Sequence, residues 1–128
     1  MTSSGMKDDM ILHNPRCSKS RATLTLLQQR GVKVNVVEYL KTPPPGRELL
    51  ALCRLLGVQP TAIVRTKEPT FRELGLSLKD KSSEKEWCEV LHDHPELLER
   101  PIVRIGGRAV IGRPPENVLT LLEPAKGP

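Results

Sequence analysis

The sequence predicts an α/β fold in which helices flank a mixed four-stranded sheet. Three observations carry this. Two short apolar, β-rich stretches near the start enclose one stretch with helical periodicity. Two more short strands, joined by Gly106-Gly107, form a hairpin near the end. Between these pairs, residues 60–99 read as helical and broken.

Met10-Ile11-Leu12 places a first strand over residues 9–13, and Pro15 stops it, having no amide hydrogen for a ladder. Ala22, Leu24, Leu26 and Leu27 recur at helical spacing and place a helix over 18–30, with Gly31 as its stop. The β-branched, partly alternating run 32–40 is a second strand. After the rigid break Pro43-Pro44-Pro45-Gly46, Leu49, Leu52, Cys53 and Leu56 mark a second helix, which Gly57 ends. This βαβ unit implies parallel strands and a right-handed crossover.

The insert reads as a short helix near 61–65, a charged linker around 71–74, a helix over 83–94 and a further turn at 95–99. Ser83 and Glu86 have the spacing of a capping box. Ile102–Ile105 and Arg108–Ile111 form the hairpin, with Gly-Gly suited to a primed turn. Pro114-Pro115-Glu116 opens a last helix with Val118, Leu121 and Leu122 on one face. The order βαβα, helical insert, ββα is thioredoxin-like. The whole chain, 1–128, reads as one domain with a loose tail at 1–8.

Composition narrows the function classes. The only aromatic residues are Phe71, Trp87 and Tyr39, so the core is aliphatic and platforms for stacking bases are lacking; nucleic acid is not the expected partner. The net charge of +5 suits an anionic substrate or simply a solvated surface. No apolar run approaches a membrane span. Three cysteines without paired spacing point to a reducing, cytoplasmic setting. A monomer is the default expectation.

His13-Asn14-Pro15-Arg16-Cys17-Ser18-Lys19-Ser20-Arg21 carries the chemistry. It brings Cys17 from a strand end to the mouth of the first helix, where unpaired backbone amides favour a thiolate and a neighbouring oxyanion. Lowering a thiol pKa by two pH units takes about 2.7 kcal/mol. An exposed helix terminus supplies roughly 0.3–1 kcal/mol of that. The remainder must come from hydrogen bonds or cations, and His13, Arg16, Lys19, Ser20 and Arg21 are at hand. The alternative is a buried cysteine beside a basic, solvated flank. Ser20 stands where a dithiol protein carries its resolving cysteine, so a catalytic Cys17 requires an external thiol. Thr23, six residues after Cys17, excludes the C-x5-R phosphatase loop.

Cys53 lies on the apolar stripe of its helix and reads as core, with a resolving thiol as the alternative. Cys88, beside Trp87 in a helix, reads as structural too. Cys88 and His92, with His94 close by, have ligand spacing, but no second pair accompanies them and no metal is expected. Arg65, Arg100 and Arg113 fall at element ends. Each is either a surface charge or a guanidinium fork for a tetrahedral oxyanion. Pro101 is the candidate for a cis bond, because the thioredoxin order usually sets a cis proline opposite its active cysteine.

Five pieces in this order and spacing resemble the glutaredoxin-coupled arsenate reductase family. They are H-N-P-R-C-S-K-S-R at 13–21, Y-L-K-T-P at 39–43, I-V-R-T-K-E at 63–68 with E-L-G-L at 73–76, L-L-E-R-P-I-V at 97–103, and G-R-P-P-E at 112–116. The resemblance spans residues 10–122. It implies a catalytic Cys17, thiolate support from His13 and Ser20, oxyanion binding by Arg65, Arg100 and Arg113, and a cis Arg100–Pro101 bond. It further implies arsenate as substrate, glutathione as co-substrate with no bound cofactor, and glutaredoxin as partner. Related branches are glutathione-dependent thiol reductases without arsenate activity and transcription regulators. The regulators usually carry C-x-x-C, which this chain lacks.

Overall fold

The computed structural model describes residues 9–79 and 82–123; the expected tail at 1–8 lies outside them. The chain divides into two compact units, one containing residues 9–38 and 100–123, the other residues 39–99.

The first unit holds the sheet. Strands β1 (Met10–His13), β2 (Asn35–Glu38), β3 (Ile102–Ile105) and β4 (Arg108–Ile111) lie in the order β2-β1-β3-β4. β1 pairs parallel with β2 and antiparallel with β3, and β3 pairs antiparallel with β4. The mixed, helix-flanked sheet expected from the sequence is therefore present. All four residues of β1 are buried, as a central strand requires. The second strand is shorter than the 32–40 run suggested. As an edge strand it pairs with β1 alone, which offers four partners. Gly106 and Gly107 both take positive φ, 60° and 79°, which the primed hairpin turn demands.

Helix α1 (Ser18–Gln29) covers the sheet through Leu27, which packs with Ile11, Val103, Val118 and Leu121. The last two come from Pro115–Leu122, a helix of 3-10 type rather than α.

The second unit is helical and takes in α2 (Gly46–Leu56) as well as the stretch 60–99. α2 packs against α4 (Glu84–Asp93), burying Leu49, Leu52, Trp87 and Leu91. The Ser83–Glu86 capping box forms in both directions. Two readings change. The charged linker at 71–74 is largely a short helix, α3 (Pro69–Glu73), begun by a proline whose fixed φ suits a first turn. The helix near 61–65 is a 3-10 turn at Pro60–Ile63. Arg65 therefore lies beyond it in extended chain, where Val64 bridges Leu98.

Candidate active site

The strand-to-helix loop is built by Asn14. Its side-chain oxygen accepts the Arg16 N–H at 2.9 Å, and its carbonyl accepts the Cys17 N–H at 3.0 Å. That tight turn sets Cys17 as the extended N-cap residue of α1, its own carbonyl receiving the Arg21 N–H at 2.9 Å. The amides of the first helical turn thus have no helical acceptor. Those of Ser20 and Lys19 reach the Cys17 sulfur.

Cys17 is buried, with 8% of its surface exposed. Burial pushes its pKa up. The Ser20 amide, a hydrogen bond from the Arg100 side chain, the Lys19 amide and the Arg100 charge together outweigh that, so the pKa lies below the ordinary thiol value. Arg113 Nη2 stands 3.8 Å from Sγ.

Ser20 reaches the sulfur through its backbone rather than its hydroxyl. Its fully buried Oγ lies 2.6 Å from His13 Nδ1 and accepts the Asn14 N–H at 3.0 Å. The His13 pKa is lowered, mainly by burial and also by the Arg21 charge, while Glu38 works against both.

Arg100 and Arg113 are brought together by the backbone. Arg113 Nε donates to the Arg100 carbonyl at 2.7 Å, and Gly112 N–H donates to the Pro101 carbonyl at 2.9 Å. Both X-Pro bonds that follow these arginines, Arg100–Pro101 and Arg113–Pro114, are cis. The first matches expectation; the second carried no signal in the sequence. A side chain at Gly112 would place its Cβ 2.7 Å from Thr23 Oγ1 and 2.9 Å from Pro101 Cγ, so only glycine fits. Asn117 anchors the same segment, its side-chain amide donating to the carbonyls of Arg113 at 3.0 Å and Ile111 at 3.3 Å. Sequence reasoning missed Asn14, Gly112 and Asn117. The Asn-Pro pair was a turn signal for the first, whereas nothing local marked the other two.

Arg65 belongs to the second unit. Its Nη1 pairs with Glu99 Oε1 at 2.9 Å, and its Nε lies 3.5 Å from Glu68 Oε2.

The other two thiols differ in kind from Cys17. Cys53 and Cys88 are each 1% exposed and hydrogen-bond one another within the second unit. Burial, followed by the Cys88 and Glu84 charges, pushes Cys53 up to about 12. Burial and the charges of Glu84 and Glu89 likewise raise Cys88. His92 Nδ1 lies 2.8 Å from the Pro44 carbonyl. Among the described residues, no group of three or more His, Cys, Asp and Glu is placed to hold a metal, and no helix is long and apolar enough to cross a membrane.

A β2-β1-β3-β4 mixed sheet, a cysteine at the mouth of the first helix and a cis proline entering β3 define a thioredoxin-like protein. The family can be stated more closely: the chain belongs to the ArsC family, whose model matches residues 12–121. It is 44% identical over 118 residues to an arsenate reductase of Neisseria meningitidis serogroup A, covering 91% of this chain and 100% of that one. It is 47% identical over 118 residues to the uncharacterized protein YfgD of Escherichia coli K12, covering 91% and 98%. Among solved structures, an arsenate reductase from Vibrio cholerae superposes with a TM-score of 0.82 at 43% identity, covering 88% of this chain and 96% of that one.

Proposed function

We propose that this protein is an arsenate reductase, an oxidoreductase in which Cys17 forms a thiolate–arsenic adduct and glutathione and glutaredoxin supply the electrons. The observation that carries the proposal is the surroundings of Cys17. Two backbone amides and the Arg100 guanidinium contact the Cys17 sulfur and lower its pKa, a second guanidinium stands 3.8 Å away, and no other thiol shares its loop.

The thiolate sulfur attacks arsenic(V), and one arsenic oxygen leaves as water after taking up protons. Arg100 and Arg113 hold the remaining oxygens, and the family resemblance adds Arg65 as a further anion-binding guanidinium. Glutathione adds as a second sulfur ligand, displacing a second water. A glutaredoxin thiolate then attacks the glutathione sulfur. The sulfur–arsenic electron pair stays on arsenic, which becomes arsenic(III), and the two thiols end as a mixed disulfide. Hydrolysis of the Cys17–arsenic bond releases arsenite and restores the thiol. One arsenate and two external thiols thus give one arsenite, one disulfide and one water. Phosphate suits the same guanidinium forks but accepts sulfur poorly, so discrimination lies in the sulfur step.

A second reading, a glutathione-dependent thiol reductase without arsenate turnover, is favoured by the engagement of Arg65 with two carboxylates. Arsenate-dependent NADPH oxidation, coupled through glutathione, glutaredoxin and glutathione reductase, separates the two. Turnover lost in Cys17→Ser supports the first reading. A folded wild-type protein that reduces glutathione mixed disulfides but not arsenate establishes the second.

A further inference from the structure

We infer that Glu99 sets the oxyanion affinity of Arg65, acting as an internal carboxylate that an incoming anion must displace. This rests on the reading of Arg65 as an oxyanion ligand and adds a specificity determinant to it.

The pair is built by the backbone. Arg65 N–H donates to the Leu97 carbonyl at 2.7 Å and Glu99 N–H donates to the Ile63 carbonyl at 2.8 Å, one on each side of the Val64–Leu98 bridge. In that antiparallel register residues 65 and 99 are diagonal neighbours on one face, within reach of long side chains. The result is a 2.9 Å ion pair between side chains that are 24% and 28% exposed. It is shielded enough to hold and open enough to exchange.

Two features make this a place for an anion rather than a finished structural pair. Glu68 approaches the guanidinium as well, at 3.5 Å, so one cation faces two carboxylates. That 3.5 Å contact falls on Arg65 Nε, which is buried and makes no hydrogen bond. A buried donor left with only a long ion-pair contact is under-satisfied, and an oxyanion oxygen that displaces Glu68 from that edge of the fork would give it a hydrogen bond. Binding then requires Glu99 to yield Nη1 and the anion to tolerate a neighbouring negative charge. Such an internal competitor weakens anions in general and selects those able to take both guanidinium nitrogens.

Sulfate, which neither alkylates nor accepts electrons from thiols, is the probe. Its dissociation constant is read from the rise in melting temperature with sulfate concentration, at ionic strength fixed with chloride. Glu99→Gln keeps the shape and removes the charge. It is expected to tighten sulfate about two- to fivefold, the scale of a partly exposed ion pair. Arg65→Gln should weaken sulfate by a similar factor, and adding Glu99→Gln to Arg65→Gln should change nothing further. Sulfate affinity that is unchanged or weaker in Glu99→Gln, or a gain that persists without Arg65, overturns the inference. The assay involves no turnover. Failure of arsenate reduction beside the expected sulfate pattern would sink the functional proposal and leave the role of Glu99 standing; turnover without the sulfate pattern would do the reverse.

Discussion

Replacing Ser20 by alanine separates what holds the loop from what holds the thiolate. The hydroxyl makes two buried contacts, at 2.6 Å to His13 Nδ1 and 3.0 Å from the Asn14 N–H, and none of the interactions that lower the Cys17 pKa runs through it. Each hydrogen bond is worth about 0.5–1.5 kcal/mol net, and the Asn14 amide would be left orphaned, so the loss is about 2 kcal/mol. For a chain of this length that lowers the melting temperature by roughly 6–10 °C. Urea denaturation gives the free energy, and the rate of iodoacetamide alkylation against pH gives the ionisation of Cys17. Ser20→Ala should lose stability while keeping the alkylation midpoint. Arg100→Gln, which removes a hydrogen bond and a charge from the sulfur, should move the midpoint upward. A thiol held below its ordinary pKa contributes fully above that ordinary value, and the contribution is lost as pH falls through the folded-state pKa. Arg100→Gln should therefore lose it at higher pH than the wild type. Ser20→Ala at wild-type stability, with a midpoint raised as far as in Arg100→Gln, would refute this division of labour.

Gly112→Ala forces a methyl between Thr23 and Pro101 and should cost about 1–3 kcal/mol in urea denaturation. Thr23→Ala should recover part of that cost, so the double variant should be more stable than the sum of the singles implies; strict additivity would contradict the geometry. Native alkylation at mildly alkaline pH should label Cys17 alone, with Cys53 and Cys88 reacting only after denaturation, as counted by intact mass. Because Cys53 stays protonated to about 12 in the fold while an unfolded thiol ionises earlier, stability should fall as pH rises past the ordinary thiol range; a flat profile there would argue against its burial.

The elements were legible wherever local chemistry decides. Pro15, Gly31, the Ser83–Glu86 box and Gly106-Gly107 act within a few residues, and each falls where its pattern placed it. The second strand was overextended because periodicity marks β propensity, whereas the ladder ends with the partner strand. The mouth of α1 was legible for the same local reason, through Pro15 and the position of Cys17, although the turn-building part of Asn14 was not singled out. The anchoring of Arg113 was not. Gly112 is obligatory because Thr23 and Pro101 approach from remote parts of the chain, and no pattern around residue 112 records that. The charge on Arg65 was visible, but its two carboxylates were not, because Glu99 reaches it only through a bridge between segments far apart in sequence.

The fates of the three thiols constrain any mechanism. Cys17 alone has a depressed pKa, Cys53 and Cys88 are raised and enclosed in the other compact unit, and Ser20 offers neither a thiol nor a free hydroxyl. Whatever electrophile Cys17 captures, the second sulfur must come from outside the protein. Arsenate reduction and glutathione-dependent thiol reduction share that requirement, so Cys17→Ser should abolish whichever of the two the wild type shows. They diverge at the anion. A glutathione mixed disulfide brings no tetrahedral oxyanion, whereas arsenate brings oxygens that guanidinium forks can hold. The charge at residue 99 should therefore matter to one substrate and not the other. Glu99→Gln should lower the KM for arsenate with little change in kcat and leave disulfide reduction alone. An equal effect on both substrates would mean that the Arg65–Glu99 pair serves only the fold.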